Sequence, residues 1–548
     1  MNHRFITRYG IVFLLLVFSI LLSLGFNQIY HQDEYRWIQV ATNTDNAVSP
    51  HPPLITVLLR FFGGIFGFDN LRVLPAFFAV LNLLLIYLVS LKFSQNKKIA
   101  LLAASLFSFN AYSLIAGLQI DIDGAIMPFF VLLTLYAYLH LKEGNKKWLL
   151  LFVIGVIGGF FSKESFVLFV VAIAVDYFLL FFKKSGKNTR ATARKLVKWA
   201  IPAAVLAVLV YFFVSWKSPY IIEYASHFKV LNFGSRAYLD LIFKILKSFS
   251  FLSPLVLLSA VSALFIPQIR DRYRILFVYL AINFVFYSLL FDFSTLTIER
   301  YFSFMIVSSV IIGADFINYL LNKAGPVFVK RIAVVALICL AAVFFTLAIS
   351  HSTLPLNPKT AYISQIKSFN LNFLIPFTGG SGPVGFYFSA LFILWAWLVS
   401  AVCLAGYYLW PKRSGLFLAV FLTVGIMYNV LFIREFLFGK LYGNVSKVAR
   451  ETVDYLNNEP AIKEVITYYD IAPYDLRQSG KYISRFYTAP KRDYTEKLTT
   501  FRGHYMVVNF PEIGEEHVYW KLLERCPIIK EFQDKKIRSY IFDCTKLP

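Results

Sequence analysis

The chain has 548 residues, of which 58% are hydrophobic and 16% charged, and its mean hydropathy is +0.63. No soluble globular domain carries that composition, whereas repeated apolar stretches of about 20 residues suit a chain that crosses a bilayer many times. The formal charge of +23 does not imply a nucleic-acid partner, because the short cytoplasmic loops of a polytopic protein collect lysine and arginine.

The first stretch, MNHRFITRYGIVFLLLVFSILLSLGF, has a basic start and a long apolar core without a small-residue cleavage site, so it reads as a signal anchor. From there the pattern predicts a polytopic α-helical membrane protein of about thirteen spans. They lie at 9–26, 71–91, 99–116, 124–141, 148–161, 166–182, 199–216, 251–266, 275–291, 301–321, 332–350, 385–409 and 416–433. With Arg4 and Arg8 cytoplasmic, the inside loops are KFSQNKK, KEGNKK, KKSGKNTRATARK, RDRYR, NKAGPVFVKR and WPKRSG. All are basic, as short cytoplasmic loops should be, and inverting the chain would put every one of them outside.

The outside segments differ in kind. Residues 27–70 carry HQDEYRW, Asp45, SPHPPL and Asp69; QIDIDG precedes the fourth span, SKES separates the fifth from the sixth, and TIERYF opens the tenth. Carboxylates and cations set at apolar helix ends are costly at a lipid boundary. Taken singly, each reads as a snorkelling or capping group; Asp121 and Asp123 could both cap the fourth span. Several charges of both signs on one external face instead imply a polar cavity open to lipid. An odd number of spans puts residues 434–548 outside. There KEVITYYD, HYMVVNF and IRSYIFDC have strand periodicity, while NVSKVARETVDYLNN and EEHVYWKLLER are amphipathic helices, which predicts a small C-terminal extracytoplasmic α/β domain after a transmembrane domain of residues 1–433. Cys526 and Cys544 lie at the ends of a strand pair, where a disulfide or two free thiols are equally open; Cys339 and Cys403 sit within spans as packing residues.

The order of these motifs carries a resemblance. An Asp-Glu pair after the first span, HPPL, D-x-D-G before PFF and a short G-x-x-x-K turn together resemble the GT-C superfamily of glycosyltransferases, nearest to the protein O-mannosyltransferases and the aminoarabinose-transferase-like enzymes. The similarity covers mainly residues 1–216, a seven-span module with a first external loop at 27–70. The resemblance implies a GT-C fold, a polyprenyl-phosphate-linked sugar as donor, and inverting transfer to the hydroxyl of an acceptor protein, lipid or glycan on the extracytoplasmic face of the plasma membrane. Carried over by position, Asp33 is the expected base with Glu34 shaping or orienting it, and Lys163, Arg300 and His51 are the groups expected near the donor phosphate. Asp121 and Asp123 would hold sugar hydroxyls, an acceptor or a divalent metal. The sequence departs from the aminoarabinose enzymes before the Pro-Pro pair, where Pro50-His51 replaces Glu-Lys, so the acidic metal ligand of that subgroup is missing.

Two other classes share the composition. A transporter or flippase would place its charges near the bilayer midplane, often in repeated halves. A structural or signalling protein would leave the external carboxylates unexplained.

Overall fold

The computed structural model describes residues 3–30, 32–44, 47, 49, 51–185, 238–290, 299–324, 362–377, 385–468, 472–486, 500–508, 521 and 523–547. Among these, five helices are long and apolar enough to cross a membrane, or seven if two bent pairs each count as one span. The expected spans at 199–216 and 332–350 lie outside the described residues.

Among the described residues the first module contains nine α-helices: α1 His3–Ser23, α2 Gln32–Thr42, α3 Leu54–Phe66, α4 Val73–Ser94, α5 Lys97–Ser108, α6 Ala111–Leu118, α7 Met127–Lys142, α8 Leu149–Ser162 and α9 Val167–Ser185. Three departures from the sequence pattern bear on the site. The third span is two helices, because Asn110 leaves the α5 path in an extended conformation and caps α6 by accepting from the Tyr112 amide at 2.8 Å; the two meet at 62°. The segment between the first two spans is not a loop, since it folds as α2 and α3. The Pro52-Pro53 pair opens α3, as a residue without an N–H can at a helix start. With 13 residues α3 is about 20 Å long, too short to span; it buries Ile55, Leu59 and Phe62 and exposes Val57, Phe61 and Ile65.

Further on, the eighth expected span is broken. Helix Tyr238–Leu252 ends at Ser253, which has φ of 68°, and Pro254 starts a new helix after a 99° bend. The twelfth is shorter than expected because residues Phe386–Ser389 form a strand, β2, paired antiparallel with β1, Leu374–Phe377, before helix Ala390–Leu409 begins. At the basic end of the bundle, Asp176 is buried and paired with Arg274 at 2.7 Å and with Lys142 at 3.4 Å, and Asp315 with Arg272 at 2.5 Å. These acids are inter-helix clasps.

Helix Ser414–Phe438 ends in a left-handed Gly439, and the buried Glu435 carboxylate accepts from the amides of Leu441 and Tyr442 at 2.6 and 2.8 Å. That clasp turns the chain into helix Val445–Asn458 and a five-stranded mixed sheet. Its strands are β3 Val465–Tyr468, β4 Tyr482–Phe486, β5 His504–Val508, β6 Ile528–Asp534 and β7 Ile537–Asp543, in the order β4-β3-β5-β7-β6. β3 runs parallel to both β4 and β5, while β5, β7 and β6 are antiparallel. Val448, Val453 and Leu456 of the helix pack with Val465, Tyr505 and Ile541 of the sheet in a core that also takes in Ile29, Leu374 and Tyr387 from the helical part. Cys526 and Cys544 are joined as a disulfide. Of the two helices expected in this region, Val445–Asn458 forms; most of EEHVYWKLLER lies outside the described residues.

Candidate active site

Asp33 and Glu34 open α2, where the helix N-terminus favours negative charge. Being adjacent on a helix they point about 100° apart, and their surroundings differ. Glu34 is fully buried and grips Arg72 with both oxygens, at 2.6 and 3.1 Å, while also accepting from the Ile120 amide at 3.1 Å. Arg72, itself 1% exposed, spends its remaining reach on the carbonyls of Leu118, Gln28 and Ile29 at 2.8, 3.2 and 2.9 Å and lies over the Tyr30 ring at 4.9 Å. Glu34 therefore sets the position of α2 by tying it to the α4 entrance and to the strand-like stretch that follows α6. Asp33 is left half-buried on another face.

Past Ile120 comes Asp121, which caps its own turn by accepting from the Ile122 amide at 2.6 Å. This is the capping role open to it from the sequence; Gln119 reaches the same side chain at 3.5 Å. Asp123 points to a different partner. Both of its oxygens lie 2.5 Å from Lys163 Nζ, with Asp123 and Lys163 each about 2% exposed, so this is a buried ion pair. Lys163 Nζ also sits 4.6 Å from the centre of the Tyr301 ring, and Ser303 donates to the Asp123 carbonyl at 2.6 Å. The turn can reach this position because residue 124 is glycine: a Cβ there would lie 2.7 Å from the Ala116 carbonyl oxygen of α6.

The next residue after Lys163, Glu164, takes His51 Nδ1 at 3.2 Å, and the His51 ring stacks on Trp37 of α2 with centroids 6.0 Å apart. The contacts thus close on themselves, from α2 through Glu34 to residues 118–123, through Asp123 to Lys163, through Glu164 to His51, and through Trp37 back to α2. Four separate segments share one constellation of charges.

Of the expected site residues, Glu34, His51, Asp121, Asp123 and Lys163 are brought together, and Asp33 opens the helix that bounds them. Arg300 lies in the short turn Glu299–Phe302, with its side chain outside the described residues. Among the described residues no three His, Cys, Asp or Glu side chains come together as a metal site, and Asp123 is already engaged by a cation. Arg72 and Tyr301 were not picked out from the sequence. For Arg72 a signal exists: it is an arginine at the end of a span that the loop charges orient outward, where the positive-inside rule leaves few, and its buried partner Glu34 compensates it.

Residues 50–216 match the family model of dolichyl-phosphate-mannose-protein mannosyltransferases. The structure is similar over its whole length to ArnT from Cupriavidus metallidurans, solved bound to undecaprenyl phosphate and in the apo state. Each comparison has a TM-score of 0.53 at 12% identity, covering 98% of this chain and 99% or 98% of ArnT. A slighter likeness, with a TM-score of 0.31 and 17% identity over 39% of this chain and 34% of the other, relates it to the S. cerevisiae protein O-mannosyltransferase Pmt1-Pmt2 complex bound to the sugar donor. No curated protein matches the sequence. The fold is thus the helical membrane fold seen in ArnT, and residues 50–216 resemble the mannosyltransferase family.

Proposed function

We propose that this chain is a glycosyltransferase that moves a sugar from a polyprenyl-phosphate donor to an acceptor hydroxyl, with inversion at the anomeric carbon, on the extracytoplasmic face of the plasma membrane. The observation that carries the reading is the closed circuit of contacts joining α2, HPPL, DIDG and SKES, with Tyr301 set against Lys163, which gathers charges scattered along the sequence into one constellation. The family match over residues 50–216 and the likeness to ArnT, solved with undecaprenyl phosphate, support the same donor class.

In this reading Asp33 takes the proton from the acceptor hydroxyl as its oxygen bonds to the anomeric carbon. The bond from that carbon to the phosphate oxygen breaks, and its electron pair leaves with the polyprenyl phosphate. Lys163, Arg300 and His51 offset the developing charge. Asp123 keeps Lys163 in place before donor binds, because a charge at such burial needs an opposite partner. Glu34 and Arg72 fix the helix that presents Asp33. Thirteen spans, a cytoplasmic N-terminus and an external C-terminal sheet are part of the proposal, and the Cys526–Cys544 disulfide favours an oxidising compartment for that sheet.

The test is Asp33→Asn in the full-length protein, reconstituted with a panel of polyprenyl-phosphate hexoses and pentoses. Removing a general base lowers turnover by roughly 10²- to 10⁴-fold, and the variant should keep wild-type expression and thermal unfolding. Turnover within a few-fold of wild type would overturn the assignment of Asp33.

A further inference from the structure

The other face of α2 borders a cavity. Tyr35, Ile38 and Thr42 recur at helical spacing, and Tyr35 points about 200° around the helix from Asp33. With Asp69 from the turn before α4, and with Tyr474, Arg477 and Tyr482 from the C-terminal unit, they enclose about 600 Å³. Small-molecule sites run from roughly 300 to 1,000 Å³. One helix, about 10 Å thick, separates this groove from the side of Asp33.

The lining is set in advance. Tyr474 donates to the Asp69 carboxylate, and its ring packs against Tyr30 and Tyr35 with centroids 5.3 and 5.9 Å away. The Arg477 guanidinium lies 5.4 Å from the centres of both the Tyr35 and Tyr482 rings, spread between two aromatic faces. Gly480 adds no bulk, with open space where a side chain would begin. Such a wall offers aromatic faces beside forked donors and acceptors from an arginine, a carboxylate, the Gln478 amide and a threonine hydroxyl. An acyl chain would find too many polar groups in it. A phosphate would meet the Asp69 charge alongside that of Arg477. A neutral sugar ring fits both features, presenting C–H faces to tyrosine and neighbouring hydroxyl pairs to the forked groups.

We propose that this groove is a saccharide-binding subsite, holding a neutral sugar residue of the acceptor one helix away from the transfer centre; only the word acceptor rests on the glycosyltransferase reading. The acceptor of this enzyme is then a saccharide-bearing molecule, gripped at a residue other than the one that receives the new sugar.

The experiment presents the full-length protein, in lipid nanodiscs, to an array of neutral tri- to hexasaccharides and separately to inorganic phosphate. Wild type should be retained by at least one saccharide. Arg477→Ala and Tyr482→Ala should each weaken that binding about tenfold, the equivalent of one charge-assisted hydrogen bond or one ring contact, with unchanged thermal unfolding. Gln478→Ala, on an exposed side chain, provides a third variant should either of these fail to fold. Asp33→Asn should bind as wild type does. Retention of no saccharide, equal binding by the groove variants, or binding of phosphate alone would overturn the subsite. If saccharide binds and the groove variants lose it while Asp33→Asn transfers sugar normally, the groove stands and the assignment of the base falls. If Asp33→Asn is inactive and nothing binds the groove, the reverse holds.

Discussion

Two neighbouring carboxylates illustrate how burial divides roles that the sequence leaves joined. Read as letters, Asp33 and Glu34 are one acidic pair at the end of an apolar helix. In the fold, Glu34 is sealed beneath Arg72 and the Ile120 amide, and Asp33 keeps partial access to solvent. Truncating one partner of a buried ion pair leaves the other charge uncompensated, at about 3–5 kcal/mol. Glu34→Ala should therefore lose stability on that scale, seen as a large drop in thermal unfolding temperature and in folded yield, while Asp33→Asn leaves both unchanged. Equal stability of the two variants would mean that Glu34 does not brace α2. The same division shows where residue-level reading stops. Charged types at external helix ends single out Lys163, His51 and the DID pair, since lipid makes any such charge conspicuous. Their pairing is not legible, because Asp123 and Lys163 are forty residues apart and only the fold brings them together.

At the scale of elements, hydropathy located most helices and misjudged where they bend. Nothing in an average over 18 residues distinguishes a straight span from α5 and α6 meeting at 62°, although Asn110, a good cap in mid-span, marks the place. The bend matters because α6 stops short and hands the chain to residues 119–123, which carry the acids. Their seat depends on one glycine. A methyl group on Gly124 would meet backbone, the Ala116 oxygen at 2.7 Å and its Cα at 3.0 Å, which cannot swing aside as a flexible side chain would. Gly124→Ala should displace the turn and, with it, Asp123 from Lys163. Overpacking of this kind costs about 1–3 kcal/mol, and misplacing a reacting group by about 1 Å costs on the order of 10²-fold in rate. The expected result is a folded protein with turnover lowered far beyond its loss of stability. Wild-type turnover would mean that the DIDG turn does not position the reaction. The helices α2 and α3 were missed for a related reason: each is too short for a span, and α2 is only weakly apolar, so both were absorbed into a loop.

For the whole molecule, the question is what joins a sheet of soluble character to a bundle of membrane character. The sheet is not a pendant. Ile29, just past the C-terminal end of α1, lies in the sheet's core, its amide donates to Ser446 at 3.0 Å, and Gln28 reaches the Phe436 carbonyl at 3.3 Å. Tyr474 adds the bond to Asp69. Loosening the C-terminal unit should therefore disturb α2, which begins three residues after Ile29 and carries Asp33 on one face and the groove wall on the other. The disulfide gives a way to test this, since Cys526 and Cys544 are 18 residues apart and bracket β6 and β7. Closing a loop of this length constrains the unfolded chain by about 3 kcal/mol. Cys526→Ser with Cys544→Ser should lower the stability of the unit by about that amount, and reducing agent should do the same to wild type while leaving the double variant unaffected. Hydrogen exchange distinguishes a local from a coupled effect: faster exchange at residues 32–42 as well as in the sheet is expected if the unit braces α2. Exchange that quickens in the sheet alone would make the C-terminal unit a separate body and leave Glu34 and Arg72 as the main brace on the helix that carries Asp33.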